Sequence, residues 1–417
     1  MRALFLSGAT AYEGSARIFE TVARALGARG YETWFAAPAE SEAARAAAER
    51  GARVVLIPAR RSARADARAL REQLPRDFVD VVFTDDDRVQ LAAAVAVRGA
   101  KRGGIVRRIP AGASLAQGWR GRRAERLVPA RHLYTSESPP TGYAAPSGTL
   151  SPMRAELGAE VMSAGAEAGS AIAGSNGAAP SDAARDAARD ATRDATREAT
   201  RDALRDAPGT STPPVTLACV ATRASLRRAT NVVRAAALLA QRHTTLRLRV
   251  IGSVAHDEEM KLLAAALGIA RRVEWVGYPL DWQGALRDVA AGWVVADGDD
   301  AALGALDLMA HGVAVLAERT SVAARYVSHG IQGTLMATLD PPLMAAETAI
   351  LLSDRARRSA MGAAGRARVE REFPLRDMLS AFEHAARSAR ERGGERGGSR
   401  GAERAGAGGG DGAGRRS

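Results

Sequence analysis

Hydrophobic residues along this chain gather in short runs, separated by longer stretches in which apolar positions recur every three or four residues. Residues 3–7, 32–36, 54–57, 79–84 and 105–107 read as buried strands, with amphipathic helices between them. Such alternation predicts a parallel sheet of βαβ units over residues 1–144. The rhythm returns over residues 215–386, with strand patterns at 215–220, 246–252, 273–278, 292–296 and 313–317. Between the two lies a segment, 145–214, rich in Gly, Ala, Ser and Pro. Its tetrad repeat starts at Asp182-Ala183-Ala184-Arg185 and runs with small changes to Arg205. Each Asp there stands three residues before an Arg, a spacing a helix can pair. The repeat has no apolar stripe, so it predicts an exposed helix or a disordered insert, not a core element. Residues 387–417 are rich in Gly, Arg and Ala and predict a disordered tail.

Composition adds limits to that outline. A chain of 417 residues, 46% of them hydrophobic, can bury two cores. Its single cysteine, Cys219, falls in an apolar strand pattern, so no disulfide framework exists and a reducing compartment is expected. Met1-Arg2 leads straight into a strand, unlike a signal peptide, and no run has the apolar length of a membrane span. The expectation is a cytoplasmic protein. The net charge of +12 is carried almost entirely by arginine, since Lys101 and Lys261 are the only lysines. Arginines crowd residues 60–71 and 120–131, a basic balance suited to peripheral contact with an anionic inner membrane face. With 4% aromatic residues and no stacking platform, nucleic acid is not the expected partner.

The strongest chemical signal is residues 299–317, Asp-Asp-Ala-Ala-Leu-Gly-Ala-Leu-Asp followed by Leu308-Met309-Ala310-His311-Gly312-Val313-Ala314 and an apolar strand. Asp299 and Asp307 stand on the first turns of a predicted helix that follows a buried strand. In open α/β sheets ligands sit at the carboxyl ends of strands, where the next helix begins. Two carboxylates there, without neighbouring metal ligands, suit sugar or ribose hydroxyls better than a cation. Taken alone, the aspartates also fit a solvated helix start, where Asp is common.

This segment resembles the acidic signature of the retaining GT-B glycosyltransferases of family 4: two glutamates separated by seven residues, then a Met-Ala-x-Gly-x-Pro turn. Other pieces resemble the family in order along the chain. A glycine-bearing strand-to-helix loop, Ser7 to Arg17, places Gly14 and Ser15 where the family's loop faces the donor. After the strand at 215–220, Thr222, Arg223 and Arg228 stand where the family has Gly-Arg and a later Lys. Gly252 ends a strand whose backbone the family packs near the nucleotide. Glu318-Arg319-Thr320-Ser321-Val322 replaces a glycine-rich diphosphate loop, with Ser321 offering amide and hydroxyl. Phe373-Pro374 onward resembles the terminal crossover helix that returns to the first domain. The family's histidines are absent. Arg107, Arg108 and Ile109 stand where one commonly supports the sugar, and Asp300 stands where a glycine is usual.

The resemblance implies an α/β protein of GT-B fold, two Rossmann-like parallel-sheet domains facing a cleft, with a low-complexity insert and a disordered carboxyl-terminal tail. Residues 1–144 would form the acceptor-side domain and 215–386 the nucleotide-sugar domain. The implied activity is retaining transfer of a hexosyl-type sugar from a nucleotide-sugar donor to an acceptor hydroxyl, without metal or cofactor. In that reading Asp299 holds donor sugar hydroxyls and Asp307 the ribose. Arg223 and Arg228 stabilise the departing diphosphate, helped by a helix start near Ala302 and Leu303, with Gly252 and Ser321 alongside. Gly14 and Ser15 shape the acceptor wall. The alternatives are a catalytically degenerate GT-B relative that binds nucleotide or glycan as a scaffold, and an interaction protein working through its basic segments.

Overall fold

The computed structural model describes residues 1–59, 62–74, 79–98, 103–110, 118–134, 153–154 and 215–406. The Asp-Ala-Arg repeat, most of the insert and residues 407–417 lie outside the described residues. The first unit is a seven-stranded sheet in the order β3-β2-β1-β4-β5-β6-β7. Its strands are β1 (Arg2–Leu6), β2 (Glu32–Pro38), β3 (Val54–Ile57), β4 (Val81–Thr84), β5 (Gly104–Ile109), β6 (Arg131–Tyr134) and β7 (Met153–Arg154), all parallel. Helices α1 (Gly14–Ala28), α2 (Glu42–Glu49), α3 (Ala63–Gln73), α4 (Asp87–Val97) and α5 (Trp119–Leu127) connect them. The sheet takes in β7, past the boundary drawn at residue 144, because two residues of the expected insert pair with Leu133 and Tyr134.

The second unit is a six-stranded parallel sheet in the order β10-β9-β8-β11-β12-β13. It comprises β8 (Thr216–Val220), β9 (Arg247–Ile251), β10 (Val273–Gly277), β11 (Val289–Val294), β12 (Ala314–Glu318) and β13 (Gly333–Met336). Its helices are α6 (Leu226–Ala240), α7 (Glu258–Ala266), α8 (Trp282–Leu286), α9 (Gly298–Ala310), α10 (Pro341–Ser353) and α11 (Arg355–Glu372). Both sheets reverse their strand order beside the first strand of the unit, which opens a crevice at the carboxyl ends.

The strand period of two explains the layering. On β1, Ala3 and Phe5 join one buried cluster, while Leu4 and Leu6 join another on the opposite face with α3 and α4. Phe5 stacks on Phe83 of β4 at 4.7 Å between centroids, and Phe382 packs 5.3 Å from Phe83. Phe382 belongs to α12 (Leu375–Gly406), which leaves the second unit and crosses to the first. One apolar cluster therefore runs from Phe5 and Phe19 through Phe382 and Met378 to Leu303, Leu306 and Met309 of α9.

The tail expected to be disordered from Arg387 is instead helical as far as Gly406. The reason at its start is packing: Ala389 is buried, and a methyl group on Gly104 of β5 would come within 2.2 Å of the Ala389 carbonyl oxygen. Only glycine permits this close approach of helix to sheet. No described helix is long and apolar enough to cross a membrane.

Candidate functional site

Helix α9 lies between the two units and carries the acidic signature. Asp297 is its N-cap residue and Gly298 its first residue, so the helix opens directly after β11. It ends at His311, with Gly312 in the left-handed region (φ +71°) that lets the chain turn into β12. The expected strand–helix–turn–strand order is therefore present. Ala302 and Leu303, expected at the helix start, lie inside it, where intrahelical hydrogen bonding has already begun. Asp300 and Ala301 already donate their amides to the Asp297 carbonyl, at 3.1 and 3.2 Å, so hydrogen bonding begins in the opening turn.

Asp299 and Asp307 are 4% and 7% exposed, which decides against solvated helix-start residues. Each faces an arginine from the first unit. Arg108 Nη1 donates to Asp299 Oδ2 at 2.7 Å and to Ser15 Oγ at 2.8 Å. Arg17 Nη2 donates to Asp307 Oδ2 at 2.6 Å. Burial lifts the Asp307 carboxyl above its ordinary value, and Arg17 opposes that shift. Asp300 turns the same way: its Oδ1 accepts from the Gly14 amide at 2.7 Å and from the Tyr278 hydroxyl at 3.3 Å. Burial is the main reason its pKa rises to about 6. The charge placed where the family has glycine thus bonds the first unit. Gly14 has φ +47°, and a Cβ there would sit 3.3 Å from Asp300 Oδ2, so both backbone and space call for glycine.

Glu13, the N-cap of α1, points into the same region. Its Oε1 is buried without a hydrogen-bond partner. Burial first, then Asp300, pushes this carboxyl up to about 7, with Arg223 opposing. Across the cleft, Arg223 is exposed on the turn after β8, and its amide donates to Ser253 Oγ at 2.9 Å. Arg228, on α6, is ion-paired with Asp297 at the α9 N-terminus. Arg228 therefore flanks the opening turn of α9, while Arg223 stands by Ser253 and Glu13.

Gly252 and Ser321 have definite neighbours. Gly252 has φ +110°, and a Cβ there would lie 2.1 Å from the Ala221 carbonyl oxygen, so its close neighbour is the end of β8. The Ser321 amide and hydroxyl both donate to the Glu318 carbonyl, at 3.0 and 2.8 Å, so the donors expected for a ligand already serve a turn.

Beside Asp307 a cavity of about 340 Å³ opens between the units, lined by Tyr12, Arg17, Tyr278, Trp282, Leu303 and Asp307 among others. The Arg17 guanidinium lies 4.9 Å from the Trp282 ring centroid and 5.7 Å from that of Tyr278. Arg50 crosses nearby, stacked 4.4 Å over Tyr12 and donating to the Pro279 carbonyl at 3.0 Å.

The sequence reading missed Arg17 and Arg108 as partners of the two acids. Arg108 did leave a signal, shared with Arg107: two charged residues between Val106 and Ile109, in a run that otherwise reads as a buried strand. Arg17 left none, because an arginine on the first turn of an amphipathic helix is unremarkable.

Two parallel-sheet units facing one cleft, tied by a returning terminal helix, define the GT-B architecture. Residues 200–368 match the family model for the glycosyl transferases group 1. That match bears on group 1 as a whole and not on family 4 within it. Solved structures agree on the fold. HepE of Anabaena, in complex with UDP and glucose, is 13% identical, with 93% of this chain and 100% of that chain covered at a TM-score of 0.63. A glycosyltransferase from Rickettsia africae is 11% identical, covering 93% and 98% at a TM-score of 0.61. Sucrose-phosphate synthase from Thermosynechococcus elongatus is 13% identical, covering 93% and 99% at 0.57. No curated protein matches the chain in sequence.

Proposed function

We propose that this protein transfers a sugar from a nucleotide-sugar donor to an acceptor hydroxyl, with retention of anomeric configuration. The observation that carries this reading is the burial of Asp299 and Asp307 on the face of α9 that lines the cleft, within the segment matching the group 1 family. Complexes of Anabaena HepE with UDP and with UDP-glucose lend it support at the level of the donor class. In this reading Asp307 meets the ribose, Asp299 the donor sugar, and the positive end of the α9 dipole at Gly298 faces the diphosphate with Arg223 and Arg228. Charge develops on the leaving diphosphate, and fixed cations and a helix N-terminus neutralise it, so the reading calls on no metal. The acceptor enters from the side of Gly14 and Ser15.

A second reading, a catalytically degenerate relative that only binds, is favoured by one specific observation: both acids already hold arginines. A thermal-shift screen with UDP, GDP, ADP and their sugar conjugates, followed by a donor-hydrolysis assay, separates the two. The expected result is a raised Tm with one nucleotide and slow sugar release. Arg228→Ala is expected to lower turnover about tenfold with Tm preserved, the loss of one charge-assisted contact. Binding without any sugar release selects the degenerate reading, and unchanged turnover removes Arg228 from the site.

The same proposal includes peripheral contact with an anionic membrane. Helix α5 starts past the carboxyl end of β5, on the cleft side, and exposes Trp119 (60% exposed) with Arg120, Arg123 and Arg126. Its inner face packs on α4 through Ala124. An exposed indole beside arginines suits a headgroup layer. Replacing Arg120 and Arg123 with serine should weaken partitioning onto phosphatidylserine vesicles about thirtyfold at low salt, at about 1 kcal/mol for each arginine. Equal sedimentation of both proteins with the vesicles would refute the contact.

A further inference from the structure

The place beside Asp307 is occupied by the protein itself. Arg17 is only 12% exposed at its side chain, pairs with Asp307 at 2.6 Å, and lies over the rings of Trp282 and Tyr278. A carboxylate that accepts from hydroxyls and two aromatic faces that take a flat ring are what a nucleoside requires. A guanidinium is also flat, donates in a fork to a carboxylate and stacks on aromatic rings. Arg17 therefore makes the same kinds of contact that a ribose and base would make, and it makes them from the opposite domain.

We propose that Arg17 is a self-ligand of the nucleoside subsite, which takes the place beside Asp307 and must release that carboxylate before a nucleotide binds. This rests on the nucleotide-sugar reading given above. The neighbouring cavity of about 340 Å³ is large enough to admit a ring system once the guanidinium withdraws. Further links between the units, among them Arg108 to Asp299, the Gly14 amide to Asp300, Arg50 to the Pro279 carbonyl and the Tyr12–Tyr278 ring contact, do not involve the Arg17–Asp307 pair. The exchange at Asp307 is thus local and does not need the two units to part. A site whose competent state is only partly populated binds its ligand more weakly by that fraction.

The consequence has a sign opposite to that of an ordinary binding residue. Isothermal titration of UDP, GDP and ADP into the full chain and into Arg17→Gln is expected to show one nucleotide bound by both, about tenfold more tightly by the variant. Arg17→Lys keeps the charge but loses the flat fork, and its affinity should fall between the two. Unchanged or weaker binding by Arg17→Gln overturns the proposal while leaving the donor reading intact. Absence of binding to all three nucleotides in both proteins overturns the donor reading and this proposal with it. Should Arg17→Gln not fold, Arg17→Lys decides: tighter binding than wild type supports the self-ligand, and equal or weaker binding overturns it.

Discussion

Replacing Arg108 with methionine is expected to destabilise the protein by about 3–5 kcal/mol, the range for breaking a buried ion pair from one side. Arg108 is 1% exposed, and its guanidinium reaches Asp299 and Ser15 of two different elements. Methionine fills much of the same volume, so packing loss is small and the main effect is a carboxylate left buried without its 2.7 Å cation. The measurement is urea unfolding, read as the shift in midpoint at unchanged slope. The double variant Arg108→Met with Asp299→Leu should recover most of the loss, because removing both charges removes the desolvation penalty that each leaves behind. A single-variant loss below about 1 kcal/mol, the scale of an exposed pair, would mean that this contact is solvated and does not hold the cleft.

The difference between what the sequence disclosed and what it hid follows from the range of the interactions involved. Strand patterns such as 54–57 and the segment from Asp299 to the strand after Gly312 are local, and period and turn chemistry are enough to read them. Edges drifted where pairing, not composition, sets them. The strand expected at 292–296 is observed at Val289–Val294 because it pairs in register with β8 and β12. The helix past Arg387 was hidden for a similar reason. Its composition speaks against order, yet the descending helix meets a glycine on β5 that allows Ala389 to dock.

The site was legible as positions but not as pairings. Asp299, Asp307 and Gly14 come together, and Asp300 proves to be a partner of Gly14, not a stray charge near phosphates. The arginines that meet the acids stand 191 and 290 residues away in sequence, and the chain has many others of equal local appearance. Charge inside the strand pattern at Arg107 and Arg108 hints at burial there, but nothing in a run of residues marks Arg17 or says which acid either side chain will meet. For Ser321 the sequence offered no hint, because its donors return to a backbone carbonyl that any residue at position 318 would present.

Glu13 gives the cleft a dependence on pH with a definite sign. Burial, followed by the charge of Asp300, raises its pKa from 4.5 to about 7. Between those values the folded state keeps the proton and the unfolded state has lost it, so unfolding releases a proton and stability falls as pH rises. The stabilisation is complete below pH 4.5 and is lost by the time pH passes about 7. Asp300, raised from 3.8 to about 6, acts in the same direction over a lower window. The two carboxyls repel each other when both are ionised, so their effects overlap and do not add. Glu13→Gln mimics the protonated form at every pH. It should leave stability at pH 4 nearly unchanged and raise it at pH 8 by up to about 3 kcal/mol, the free energy of a shift of this size. Urea midpoints of both proteins measured from pH 4 to 8 test this. Curves that stay parallel across the range would show that Glu13 ionises without penalty, and that the unpartnered oxygen in the cleft is met by solvent. A gap that opens between pH 5 and 7 would identify Glu13 as the group whose ionisation works against closure of the cleft around α9.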